Sequence, residues 1–281
     1  MKLVMTLLVR DEEELLPLNL EHHLALGVDH FVITDNRSAD ATPEILADYS
    51  RRGLVTMLHE LDDDFNQWRW VTRMARMAAD CAADWILHCD ADEFWCAESS
   101  LTAALHSVPA DYGAAIVPRF NFPPTSEEME PFYDRLIVRE TQSTNSVGRP
   151  LPGKCCHRAS QSVQIAQGNH DLQSDDLVVL PGSPPIEILH FPMRTFAQFE
   201  RRIVTGGRAY VRNHEVPFDV GATWRRLYLL QQQGRLRDYW DGQVLTPARR
   251  AEGLAHGALQ VDTRVRDSVQ AAGRSASPIR T

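Results

Sequence analysis

The run Trp85-Ile86-Leu87-His88-Cys89-Asp90-Ala91-Asp92-Glu93-Phe94-Trp95 places two carboxylates one residue apart at the end of an apolar segment. Side chains at i and i+2 of an extended chain project to one side, so one carboxylate can ligate a hard cation while the other reaches a ribose or a bound water. A cation held there would neutralise a diphosphate, the main electrostatic demand when a sugar departs from a nucleotide. Asp-x-Asp triplets also occur as solvated turns, so the weight of this one depends on the elements around it.

Those elements alternate. Lys2 to Val9 is a near-continuous apolar run of strand length, the pattern of a central parallel strand buried on both faces. Leu15, Leu16, Leu18, Leu20, His23, Leu24 and Leu26 give the next segment an apolar helical face, with Pro17 in its first turn and Gly27 placed to end it. Val28 to Thr34 reads as a second strand. After the turn formers Asp35 to Asp40, Thr42 caps a helix that starts on Pro43 and stops at Gly53. Leu54 to Leu58 is a third strand, and Trp70, Met74, Met77 and Ala78 mark a helix over 66–82. Trp85 to Cys89 returns as the fourth strand.

This βαβαβαβ order predicts an α/β fold with a doubly wound, mostly parallel sheet and helices on both faces, its ligands gathered outside the carboxyl ends of the strands. Asp11, Asp35 and Asp90 all fall at such ends. No GxGxxG or GxxxxGK[ST] phosphate cradle occurs. From Ala114 the alternation fades into short strands at 114–117, 135–139, 154–157, 162–166 and 186–190, with a Pro-rich loop over 120–131 and a mobile loop over 141–152. Two helices, over 195–211 and 224–240, follow. We therefore expect a nucleotide-binding half at 1–113, a smaller acceptor-binding half at 114–193, C-terminal helices within 194–262, and a disordered tail at 263–281, where large apolar residues are few.

Composition is that of an ordinary globular protein, 43% hydrophobic and 24% charged over 281 residues. The net charge of −9 is uneven: residues 194–281 hold 15 Arg against 8 acidic residues, while the rest is strongly acidic. The acidic part argues against general nucleic-acid binding. The Arg-rich part is a solvated helix surface or a weak contact with a membrane surface. Five cysteines without paired CxxC spacing indicate reduced thiols. The apolar run at the start is too short to span a membrane and lacks a cleavage site, so we expect a cytoplasmic protein, at most peripheral at the inner membrane face.

The ordered set Val9-Arg10-Asp11-Glu12, Leu24 to His30, Thr34 to Thr42, Asp90-Ala91-Asp92-Glu93-Phe94, Gly153-Lys154 and Leu189-His190-Phe191-Pro192-Met193-Arg194 resembles bacterial glycosyltransferases of the family 2-like group, with kinship to family 92. The resemblance spans most of residues 1–210. It implies a GT-A fold and transfer of a sugar from a nucleoside diphosphate donor, uridine-linked, with manganese or magnesium, to a glycan, lipid-linked or small-molecule acceptor.

Position by position, it makes Arg10, Asp11 and Glu12 the first nucleotide-facing loop, Asp35 the contact to base or ribose, Gln67 a donor contact, Asp90 the ribose, phosphate or metal contact and Asp92 the direct metal ligand. His190, after a short late strand, completes the metal site, with His170 as the competing candidate, and Arg194 lies near the diphosphate. Arg10 and Asp11 could instead cap a helix, and Asp35 could close an Asx turn. Lys154 is one of two lysines against 27 arginines, either selected for a compact ammonium against phosphate or left at a loop edge.

Inverting transfer needs a carboxylate near the acceptor hydroxyl. The family's base motif is not recognisable. Asp171 is the first choice, with Glu93 beside the metal pair as a second catalytic candidate, and Glu127, Glu128 and Glu187 as alternatives. A nucleotidyltransferase would share the sheet but carry a basic, Gly-rich first loop, which Val9 to Glu13 is not. A noncatalytic sugar-nucleotide-binding protein is the rival from another class.

Overall fold

The structure, a computed structural model, describes residues 1–128 and 131–275. Four parallel strands, β1 (Leu3–Val9), β2 (His30–Asp35), β3 (Val55–His59) and β4 (Trp85–Cys89), are joined by helices α1 (Leu16–Ala25), α2 (Thr42–Arg51) and α3 (Gln67–Asp80). Strand β5 (Glu93–Ala97) and helix α4 (Leu101–His106) follow, then β6 (Ala114–Val117), β7 (Arg119–Asn121), α5 (Phe132–Arg135), β8 (Val138–Glu140) and β9 (Lys154–Arg158). Two short strands, β10 (Gln164–Ile165) and β11 (Leu172–Gln173), precede β12 (Ile186–His190). The C-terminal part holds α6 (Phe196–Arg212), α7 (Ala222–Gln232), α8 (Leu236–Gln243), α9 (Pro247–Ala255), β13 (Leu259–Val261) and α10 (Arg264–Ser275).

The main sheet runs β3-β2-β1-β4-β9-β6; its first four strands are parallel, and β9 joins antiparallel to both β4 and β6. Apolar side chains on both faces of β1, β2 and β4 explain why these strands lack alternation: Leu3, Met5, Leu7, Phe31, Ile33, Trp85 and Leu87 pack on one face, and Val4, Val32 and Ile86 meet Val71, Met74 and Ala78 of α3 on the other. A second sheet, β5-β12-β7, stands at the carboxyl end of β4, with Glu93 of β5 opposite His190 of β12 and His190 opposite Asn121 of β7. The chain therefore turns between two sheets at Asp90–Asp92.

The C-terminal helices form their own apolar cluster around Phe199, Ile203, Leu227, Leu236 and the buried Trp240. Three sequence expectations change here. Residues 224–240 make two helices, because Gly234 takes a left-handed conformation (φ +69) between α7 and α8. The segment expected as a strand at 135–139 begins instead as the last turn of α5 and enters β8 at Val138. The expected disordered tail is helical over Arg264–Ser275, since Val265 packs into the main core and Arg264 pairs with Asp262 and Glu187; the rest of it, 276–281, lies outside the described residues.

Candidate active site

Helix α1 fixes the turn that carries the carboxylates. The Asn19 amide donates to the carbonyls of Ala91 (3.1 Å) and Glu93 (2.8 Å), and His23 Nε2 accepts from the Trp95 N–H at 3.0 Å. Buried at the junction of the two sheets, this turn places Asp90 and Asp92 on the wall of a cavity of about 1310 Å³. The cavity is lined by the β1 loop, the end of β4, the 144–154 segment, β12 and helices α6 to α9.

Asp92 is 1% exposed and meets two groups. Arg202 of α6 donates to its Oδ2, and His190 Nε2 stands 3.3 Å from the same oxygen. Its Oδ1 is buried without a hydrogen-bond partner. Burial pushes the Asp92 carboxyl up, but Arg202 and His190 outweigh it and hold it well below the usual range. His190 shifts the other way, its burial outweighing the attraction of Asp92 and favouring the neutral ring. Asn121 sets the tautomer: its Nδ2 donates to the Thr144 carbonyl (3.2 Å), so its Oδ1 must accept from His190 Nδ1–H at 2.7 Å. His190 Nε2 therefore faces the Asp92 carboxylate.

Asp90, a quarter exposed, is held by Lys154, whose Nζ lies 2.5 Å from Oδ2. The same ammonium donates to the Gly168 carbonyl at 3.0 Å and lies 3.3 Å from Glu93, so it is enclosed by protein groups and positions Asp90. Burial lowers its pKa, but Asp90 and Glu93 outweigh this and raise it. Gln67 adds a long contact to Asp90 Oδ1 (3.5 Å) and accepts from the Gly168 N–H.

On the β1 loop, Arg10 pairs with Asp63 (2.8 Å), Asp11 accepts from the Ala39 N–H (2.7 Å), and Glu12 lies 3.9 Å from Arg194. All four line the cavity. Burial raises Glu12 to about 7 against the pull of Arg194 and Arg202. Arg194 is itself buried, with Nη1 on the Phe191 carbonyl.

Several candidates lie elsewhere. Asp35 does not line the cavity; its Oδ1 accepts from Ser38 N–H (3.2 Å) and closes the β2 turn. Asp171 is exposed, points away from the cavity lining and bonds the N–H of Leu172 (2.8 Å), because the chain turns outward into β11 there. Glu93 is fully buried between Arg119 (2.6 Å) and Lys154, which stabilises the turn and leaves no room for a substrate. His170 lines the cavity, but its Nδ1–H donates to the Gly153 carbonyl (2.8 Å), away from Asp92. Glu128 caps α6 through the Phe196 N–H, and Glu187 pairs with Arg139 and Arg264; neither these nor Glu127 line the cavity. Sequence reasoning passed over Arg202, Asn121 and Arg119, which sit on an amphipathic helix and a three-residue strand with no motif to mark them.

The donor set fits a divalent cation. Asp92 offers an oxygen without a hydrogen-bond partner and His190, in its neutral form, a ring nitrogen beside the same carboxylate, with Asp90 two residues away. Among the described residues no three His, Cys, Asp or Glu side chains enclose a metal position.

A mostly parallel α/β sheet brings an Asp-x-Asp turn to a deep cavity at its carboxyl edge, the arrangement that the glycosyltransferase resemblance implies. The profile of glycosyltransferase family 92 matches residues 8–170, more than half of the chain, and the chain belongs to that family. No curated protein sequence matches it. Similar solved structures include S. aureus TarS 1-349 in complex with UDP-GlcNAc (11% identity, 99% of this chain and 93% of that one, TM-score 0.44). Another is glucosyl-3-phosphoglycerate synthase from Mycobacterium tuberculosis with Mn2+, UDP and phosphoglyceric acid (14% identity, 84% and 78%, TM-score 0.37). A third is GalNAc-T7 with UDP, GalNAc and Mn2+ (11% identity, 99% and 58%, TM-score 0.42). Among the described residues no helix is long and apolar enough to cross a membrane.

Proposed function

We propose that the chain transfers a hexose-like unit from a uridine diphosphate sugar, with Mn2+ or Mg2+, to an acceptor hydroxyl with inversion at the anomeric carbon. The observation that carries this reading is a large cavity walled by Asp92, whose Oδ1 lacks a hydrogen-bond partner, and by His190, whose Nε2 lies 3.3 Å from the other oxygen of that carboxylate and whose Nδ1–H is held by Asn121. Asp92 and His190 would hold the cation, with Asp90 locked by Lys154 to face ribose or phosphate. When bound, the cation supplies charge neutralisation for the leaving diphosphate.

Arg202 competes with that cation for Asp92. Released from the carboxylate, its guanidinium lies in the same wall as Arg194, and two forked cations suit the non-bridging oxygens of a diphosphate. Asp11 and Glu12 face the same end of the cavity, where ribose hydroxyls would be bound. The half at 1–113 serves the donor, the half at 114–193 the acceptor, and the 194–262 segment closes the cavity. The Arg-rich C-terminal helices could approach an anionic surface, consistent with a lipid-linked acceptor.

A thermal-shift panel of nucleoside diphosphate sugars with and without Mn2+ tests the reading, because a ligand bound only by the folded state at 100 times its Kd stabilises by about 2.7 kcal/mol. A shift confined to uridine nucleotides and requiring Mn2+ supports it; no shift with any nucleotide sugar refutes it.

A further inference from the structure

With Asp171 outside the cavity and Glu93 enclosed by cations, the inverting reaction lacks a proton acceptor. Glu140 occupies the right place for one. It ends β8, where alternation sends Arg139 to Asp262 and Glu187 on one side and Glu140 to the cavity on the other. Its Oε2 is buried and has no hydrogen-bond partner. Ser143, whose hydroxyl also receives the Asn121 backbone N–H at 2.8 Å, and the Asn121 side chain lie against the carboxyl and orient it. Arg249 and Tyr239, from α9 and α8, are the other charged or titratable groups facing it. Burial raises its pKa above the ordinary carboxylate range against these partners.

The row Glu93, His190, Asn121 follows the register of β5, β12 and β7, and β8 runs beside β7. β8 is hydrogen-bonded to β13 and not to β7, but the Asn121 side chain lies against the Glu140 carboxyl and bonds the far nitrogen of His190 at 2.7 Å, so Glu140 faces the cavity one side chain away from the cation-binding group, and a bound sugar ring would sit before both. Glu12, a half-buried acid of the same cavity, lies 3.9 Å from Arg194 and near Asp92, and so stands on the diphosphate side of such a ring.

We propose that Glu140 is the general base of the transfer, taking the proton of the acceptor hydroxyl on the side of the sugar opposite the diphosphate. The acceptor oxygen forms its bond to the anomeric carbon, the bond from that carbon to the β-phosphate oxygen breaks, its electron pair leaves with the nucleoside diphosphate, and the hydroxyl proton goes to Glu140 Oε2. The assignment rests on the donor reading above.

Water and azide serve as acceptors in the test, with UDP-glucose, UDP-galactose and UDP-N-acetylglucosamine as donors in the presence of Mn2+. Glu140→Gln and Glu140→Ala should cut hydrolysis by about 100-fold or more while the Kd for UDP stays within twofold. Azide, which carries no proton to remove, should restore turnover to Glu140→Ala and yield the glycosyl azide of inverted configuration. Hydrolysis retained within threefold by Glu140→Gln, or no azide rescue, overturns the assignment. So does a native chain that binds UDP yet cleaves no donor with either nucleophile, since a base beside the cavity must activate water there. A native chain that binds no UDP brings down the donor reading itself.

Discussion

Replacing Lys154 by Met removes the one ammonium buried beneath the Asp-x-Asp turn while conserving most of its volume. Lys154 is 1% exposed and contacts Asp90 at 2.5 Å, Gly168 O at 3.0 Å and Glu93 at 3.3 Å. Breaking a buried ion pair by deleting one partner costs about 3–5 kcal/mol, because the charge left behind keeps its desolvation penalty. Here the cost falls at the lower end: Glu93 keeps Arg119 at 2.6 Å, and Asp90, a quarter exposed, regains water. A loss of about 3 kcal/mol, at roughly 2 °C per kcal/mol for a chain of this size, lowers Tm by about 6 °C. Differential scanning calorimetry at pH 7 reads this directly. UDP binding should weaken in parallel, since Asp90 loses the group that fixes it. A Lys154→Met chain that melts within 1 °C of the native protein would refute the view that this ammonium supports the turn.

Other outcomes follow from the same structure. Asn121→Ala frees the His190 ring and should weaken Mn2+ affinity about 10-fold or more, measured by calorimetry, with little change in Tm; equal affinity would remove Asn121 from the site. Gly207→Ala should destabilise by about 1–3 kcal/mol despite the better helix propensity of Ala, because a Cβ there would lie 2.4 Å from Tyr228 Cβ where α6 crosses α7; a stabilised variant would contradict that crossing. Burial holds His22 and His157 near pKa 4. Since the folded values lie below the unfolded value of about 6.5, their stabilisation is complete above that pH and is lost as pH falls toward 4. Urea midpoints should therefore drop steadily from pH 6.5 to 4, and a flat profile would show that these rings charge without cost.

The parallel half was legible because continuous apolar strands and helices ended by Gly27 and Gly53 state their own period, although α2 begins at Thr42 without the side-chain cap expected of that residue; outside it, β6 and β12 also fall where the residue pattern puts them. Asp90, Asp92 and His190 were legible for a related reason, since each sits directly at the end of such a strand. The remainder depends on partners distant in sequence. Strand β7 has three residues and exists through β12, α10 folds by leaning Val265 into the core, and Arg202 meets Asp92 only because α6 packs over the cavity. No motif marks Asp171, and its position along the chain carries no information about which way the short strand β11 turns.

The most direct test is calorimetric titration of UDP into the native chain and into Asp92→Asn, each with Mn2+ and with EDTA. The account predicts at least about 10-fold tighter binding with Mn2+ for the native chain, equivalent to about 1.4 kcal/mol, and no dependence on Mn2+ for Asp92→Asn, whose Tm falls because the buried carboxylate no longer compensates Arg202. Equal metal dependence in the two proteins, or none in the native chain, would contradict it.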